Sequence, residues 1–217
     1  MKHLLLFTLL SLASLTSSLA AEDSQLLPSS SNTEMAVASD NGQVAKPEKP
    51  LHIVLGGGAT SGGDTLATFA YTDGSTDTLK AGSGLLFHAG LDYRLSDRAS
   101  LQGTLGYHFD STKYAKNGSA TFSRIPLDLL AYYHVSDAFR IGGGPRMVFG
   151  SKLKGSGVVS GINSSFDNTI GVVIEGEYRV IPMLGIKIRH VTEKYRQSGS
   201  PTDFDGSHFG ILVNFYL

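Results

Sequence analysis

The stretch "RHVTEKY", Arg189 to Tyr195, sets His190 and Thr192 two residues apart. In an extended strand that spacing places both side chains on one face. Asp205 has the parity of the apolar set Phe209, Ile211 and Val213, just ahead of that last run. A base, a hydroxyl and an orienting carboxylate brought together are what nucleophilic catalysis requires. The simpler reading makes His190 a polar residue at the rim of a sheet and Thr192 a residue with high strand preference.

A second set of reactive types lies on alternating positions. Asp92, Asp110, Asp128, Glu175, Glu177 and Glu193 share their parity with Arg94, Arg124, Arg140, Arg146, Arg179, Lys187 and Arg189. Their signs nearly balance, so an enclosed face would hold them as ion pairs. His52, His88, His108 and His134 fall on the same face, but on different runs and without a short ligand spacing. They read as hydrogen-bonded interior histidines, with no metal site and no cofactor implied. Gly142, Gly143 and Gly144 are followed by neither a Lys-Ser/Thr pair nor a helix, so they form no phosphate loop. Close packing or a strand bend is their expected role.

Bulk properties narrow the field. The 217 residues carry a formal net charge of −1, which offers no basic stripe for nucleic acid. There is no cysteine, hence no disulfide and no thiolate metal site. Residues 1–20, "MKHLLLFTLLSLASLTSSLA", have a basic start, a short apolar run and a small-x-small end at Ser18 to Ala20. That pattern predicts a secretory signal peptide. Residues 21–50 are rich in Ser, Pro, Asn, Asp and Lys and read as a flexible N-terminal segment. Residues 51–217 read as one domain.

The elements that must position these groups follow from apolar periodicity. Helical spacing is absent, and period two dominates. Leu85, Phe87, Ala89, Leu91, Tyr93 and Leu95 oppose His88, Gly90, Asp92 and Arg94. Ile125, Leu127, Leu129, Ala131, Tyr133 and Val135 oppose Arg124, Asp128, Tyr132 and His134. Eight such runs start near Leu51, Leu85, Leu101, Arg124, Phe139, Ile170, Leu184 and His208. Long and tight connections alternate between them. Tyr93, Tyr133 and Tyr178 each precede a tight turn by the same distance, as in "DYRLSDRAS", "YYHVSDAFR" and "EYRVIPMLG". Short turns at one rim, long loops at the other and tyrosines at one depth are the pattern of a membrane barrel with an aromatic girdle. The expected fold is all-β: an eight-stranded antiparallel up-and-down transmembrane β-barrel, with the last strand paired to the first. An eight-stranded lumen is just wide enough for side chains. The inward charges are therefore expected to fill it as a network, Asp92, Arg94, Arg124, Asp128, Arg140, Arg146, Glu175, Glu177, Arg179, Lys187 and Arg189. A proton path or a narrow channel for small solutes is the alternative use of the same face.

The segment "SRIPLDLLAYYHVSDAFRIGGGP", Ser123 to Pro145, and the terminal "GILVNFYL" resemble the small eight-stranded outer-membrane barrels of Gram-negative bacteria, the OmpX–Ail-like group. The resemblance covers residues 51–217. It implies integral placement in the outer membrane, contact with its lipids and lipopolysaccharide, and insertion by the outer-membrane assembly machinery. That machinery would read Phe215 and Leu217 as a terminal signal; the usual last residue of the group is Phe, where this chain has Leu217. The resemblance also implies envelope-structural or surface-interaction work through loops, here residues 60–83 and 151–168. Lys152 and Lys154, with Lys113 and Lys116, are candidates for lipopolysaccharide phosphates, or simply solvated charge. Lipid A deacylases of the PagL type carry a His-x-Ser pair on the outer barrel face, which "RHVTEKY" resembles. This chain departs from that pattern, with Thr192 for Ser and Glu193 for the usual Asn. A non-enzymatic barrel is the expected reading, with the deacylase as its alternative.

Overall fold

The computed structural model describes residues 50–70, 76–112, 118–157 and 159–217. The expected signal peptide 1–20, all but Pro50 of the segment 21–50, and Lys113 and Lys116 lie outside the described residues. The described chain is all strand and connection. In order the strands are β1 (Leu51–Gly62), β2 (Thr65–Ala70), β3 (Thr76–Lys80), β4 (Gly84–Ser96) and β5 (Ala99–Ser111). There follow β6 (Gly118–His134), β7 (Phe139–Gly157), β8 (Asn163–Ser165) and β9 (Thr169–Ile181). The last four are β10 (Leu184–Thr192), β11 (Lys194–Arg196), β12 (Asp203–Asp205) and β13 (His208–Tyr216).

Eight of these close a barrel in the order β6-β5-β4-β1-β13-β10-β9-β7, with β7 returning to β6. Every pairing is antiparallel. Closure runs through the last strand: Leu55 lies opposite Phe215 and Gly57 opposite Val213. A closed sheet leaves no edge of unpaired amides, the condition for backbone in hydrocarbon.

Alternation puts the apolar set outside. Leu85, Phe87, Leu91 and Leu95 of β4 are each about half exposed, as are Val172 and Tyr178 of β9, while Ile170 and Ile174 are more exposed still. From Leu85 to Leu95 the strand rises roughly 33 Å. At the tilt of about 40° usual for such barrels this gives a band about 25 Å tall, the height of a membrane barrel's apolar belt. Tyr93, Tyr133 and Tyr178 all project outward beside the short turns.

The described parts of the long connections hold more paired strand than their Gly, Ser and Thr content suggests. β6 and β7 run on beyond the barrel as a long ribbon, with β8 added to its edge. β2 pairs with β3, and β11 with β12. The β6–β7 register shifts between Ser123 and Ile125, and opposite the shift Gly150 takes a φ of +61°. A side chain there would be strained. Inside the barrel Gly142 lies under the Tyr132 ring, where an added Cβ would collide with the ring carbons. That close approach is what "GGGP" provides in place of a phosphate loop.

Candidate functional site

The inward face is a column of polar side chains running from the short-turn end toward the loops. At the bottom Arg140 of β7 reaches across the lumen. Its guanidinium donates to Asp92 at 2.6 Å, to Glu177 at 2.9 Å, to Ser100 at 3.0 Å and to Gln102 at 3.2 Å. It also donates to the Tyr216 hydroxyl at 2.7 Å, and that hydroxyl donates to Glu177 at 2.5 Å. The Tyr132 ring lies flat against the guanidinium, 4.0 Å away. Charge-assisted bonds of this density fix one rotamer for every participant.

The next layer is linked through shared carboxylates. Lys187 Nζ donates to Glu175 and to the Tyr132 hydroxyl, both at 2.6 Å. The Tyr132 hydroxyl donates in turn to Glu175. Arg189 spans Glu175, at 2.5 Å, and Asp128, at 3.0 Å. Arg146 holds Asp128 through two bonds of 2.7 and 3.0 Å, the bidentate form that arginine favours. The Asn214 amide completes the layer when its nitrogen donates to His88 at 3.0 Å and its oxygen accepts from Lys187 at 3.1 Å. Among the described residues five buried carboxylates, Asp92, Asp128, Glu175, Glu177 and Glu193, share the interior with five buried cations, Arg124, Arg140, Arg146, Lys187 and Arg189. Burial of ten charges is tolerable only with this equality of sign and with most of their polar atoms hydrogen-bonded; among the described residues Arg124 Nε and Nη1 and Glu193 Oε2 are the charged-group atoms buried without a hydrogen bond in this set.

Three of the predicted lumen residues stand apart from these ion pairs. Arg94 lies at the short-turn rim and donates to the carbonyls of Ser96 and Asp97. Arg179 rests over the Tyr216 ring at 4.2 Å. Arg124 is buried without a carboxylate bond; it donates to His108 at 3.0 Å and packs between Phe122 and Tyr195. The parity rule places each inward, but depth along the strand decides which partners are in reach. Glu193, in turn, is buried near the top, 3.8 Å from Arg146 and accepting from Tyr195 at 2.6 Å.

Of the histidines, His88 meets Asn214, His108 meets Thr60 and Arg124, and His134 meets Ser100. His52 pairs only as backbone opposite Asp92. Among the described residues no cluster of His, Asp and Glu has a metal-holding arrangement.

Above the ion pairs the mouth of the barrel is filled by apolar side chains. Leu79, Ala81, Ala120, Phe122, Val148, Leu153, Phe166 and Tyr195 form one buried cluster, with Leu66, Phe69, Ile162 and Phe204 packed against it. Phe166 and Tyr195 each meet Phe122 edge to face, at 5.3 and 5.5 Å. Strands from three separate connections thus close one lid. Sequence reasoning missed it, because each connection supplies only a few apolar residues among many small and polar ones. The available signal was the isolated aromatics Phe69, Phe166, Tyr195 and Phe204 within otherwise polar stretches. Outside the lid a polar cleft of about 360 Å³ opens between Asp167, Asn168, Thr169, Lys194, Arg196 and Asp203. The Arg196 guanidinium beside Asp203 holds that carboxyl below its ordinary range, through a bond of 2.8 Å.

The three candidate catalytic residues, His190, Thr192 and Asp205, lie on one outward face near the loop rim. The His190 ring packs on Phe209, centroids 4.5 Å apart, and no hydrogen bond joins it to Thr192 or Asp205. Asp205 accepts instead from the backbone of Ser207, at 2.9 Å. It lies on β12, which with β11 continues the β10–β13 ladder in the same register, so Asp205 keeps the outward parity expected of it and lies opposite Lys194. Phe215 and Leu217 lie on the outer face at the short-turn end, about half exposed.

No family model matches the sequence, and no curated protein sequence matches it. Solved structures do match at the level of fold. Ail, the attachment invasion locus protein of Yersinia pestis, in complex with the heparin analogue sucrose octasulfate, is 9% identical. That match covers 77% of this chain and 97% of the other, with a TM-score of 0.52. Neisserial surface protein A is 11% identical over 77% of this chain and 97% of its own, with a TM-score of 0.47. The outer-membrane protein OprG of Pseudomonas aeruginosa is 14% identical over 77% and 96%, with a TM-score of 0.42. The fold of this chain, a closed antiparallel barrel of eight strands, is thus similar to that of the small outer-membrane barrel Ail.

Proposed function

We propose that the chain is an integral β-barrel of a bacterial outer membrane that neither conducts nor catalyses, and that its ordered loops serve envelope structure or surface interaction. The observation that carries this reading is the division of faces. A belt of half-exposed Leu, Ile, Val and Phe encircles a closed sheet, while ten balanced charges and an apolar lid occupy its interior. In water such a belt would be a very large exposed apolar patch; in acyl chains it is solvated.

Residues 1–20 would direct export, and Phe215 and Leu217 would present the terminal strand to the assembly machinery. Lys152 and Lys154 are exposed on the ribbon of β7 above the belt, where lipopolysaccharide phosphates would lie. Against a channel stand the filled lumen and the lid. Against a deacylase stands the packing of His190 on Phe209.

The test has two parts. Purified protein should require detergent or bilayer to remain dispersed, and should give no steady conductance in a planar bilayer. A detergent-free compact monomer would refute membrane placement; large, steady channels would refute the filled lumen.

A further inference from the structure

On the lipid-facing side, toward the short-turn end, the belt is dented by an apolar groove of about 570 Å³. Its volume lies within the roughly 300–1,000 Å³ of small-molecule sites. It forms where small residues meet in register on the outer face. Ala131 lies opposite both Leu101 and Gly143, and Gly103 lies opposite Leu129. The side chains of Tyr93, Leu101 and Leu129 stand up around these positions. Below the groove, in the turn that joins β4 to β5, Arg98 is exposed. Among the described residues no carboxylate pairs with its guanidinium. Asp97 precedes it, and the Asp97 carbonyl is taken by Arg94. Arg98 is three residues from Leu101, roughly 10 Å along the strand.

We propose that this groove holds one acyl chain of a glycerophospholipid of the inner leaflet, with its phosphate at Arg98. The inference rests on the membrane reading above. A dent in a wall facing hydrocarbon cannot stay empty without loss of dispersion contacts on both sides. An unbranched chain fills a narrow groove between leucines without needing a matching protrusion. Arg98 stands in the turn at the groove's short-turn end, the side on which a headgroup would meet water, and its guanidinium offers a fork of donors matched to a phosphate. The occupant is therefore a phospholipid rather than a second barrel, whose outer face would have to carry a complementary ridge.

Gly103 supplies a clean test. A Cβ added there meets only the Leu129 Cδ2, at an ordinary 3.5 Å, so the backbone admits a side chain at this groove-lining position and Gly103→Phe is the substitution that would occupy the groove. Full-length protein would be purified in mild detergent and examined by native mass spectrometry after exposure to phosphatidylethanolamine or to diacylglycerol. Folding of each variant would be verified by resistance to SDS before heating. Wild type should carry one phosphatidylethanolamine per barrel, and Gly103→Phe should reduce that retention roughly tenfold. Arg98→Gln should keep the groove but hold phosphatidylethanolamine no better than diacylglycerol. Equal retention by wild type and Gly103→Phe overturns the groove, and so do particles of two barrels without lipid. An undiminished phospholipid preference in Arg98→Gln overturns the headgroup assignment. If the protein instead proves soluble without detergent, it is the membrane reading that fails.

Discussion

Arg140→Met removes the hub of the lower lumen. Arg140 is 1% exposed, and its bonds reach Asp92, Glu177, Ser100, Gln102 and Tyr216. Methionine keeps much of the length and none of the charge. The loss leaves Asp92, 2% exposed, without its salt bridge, and leaves Glu177 with only Tyr216 and a Lys187 that is 3.7 Å away. Removing one partner of a buried pair costs about 3–5 kcal/mol. That is roughly two to four decades in the folding equilibrium constant. The triple variant Asp92→Asn, Glu177→Gln, Arg140→Met neutralises the orphaned carboxylates. It should recover most of the loss, because a buried ion pair is nearly even in free energy against neutral groups of the same size. The assay is urea unfolding and refolding in lipid vesicles. The chain has no tryptophan, so the transition is followed by far-ultraviolet circular dichroism and by the heat-dependent shift in gel mobility. A cost below about 1 kcal/mol for the single variant would show that water already solvates these carboxylates. A triple variant no more stable than the single one would show that charge burial is not the source of the loss.

Three further outcomes follow from the same geometry. Phe122→Ala, at a fully buried position meeting Phe166 and Tyr195, should cost about 3–5 kcal/mol and expose the β2–β3 and β11–β12 hairpins to protease sooner than the barrel strands; equal protection of hairpins and barrel would deny the lid. Arg196 holds Asp203 below its ordinary value, so this pair's help to the β11–β12 hairpin is complete above that value and fades as pH falls through the lowered one. Amide exchange in that hairpin, corrected for its intrinsic pH dependence, should be flat at neutral pH and lose protection only in strong acid, and Asp203→Asn should abolish the step. His190→Ala should leave the lipid A acyl pattern of expressing cells unchanged, read by mass spectrometry, and should shift stability by less than about 1 kcal/mol, as for a surface residue; a pattern that depends on His190 would restore the deacylase.

Much of this architecture was legible in the chain. Period two is a local property of an extended backbone, so Leu85 to Leu95 and Phe209 to Phe215 disclosed their outer faces without any tertiary information. The eight runs, the tight turns after Tyr93, Tyr133 and Tyr178, and the pairing of last strand with first followed from the same pattern. So did the inward parity of Asp92, Arg140, Glu175 and Lys187. What parity could not supply was height. Partners across a lumen depend on the stagger with which the sheet closes, a property of the whole barrel and of no single run. That stagger brings Arg140 of β7 to Asp92 of β4, leaves Arg124 among a histidine and two aromatic rings, and keeps Arg94 and Arg179 at the rim. Tertiary structure alone also decided that His190 packs on Phe209, with no hydrogen bond to Thr192 or Asp205, and that scattered Phe69, Phe166, Tyr195 and Phe204 converge over the mouth. The physical reason is common to both: a side chain's face is set by its own backbone, whereas its neighbours are set by how distant strands register when the sheet closes.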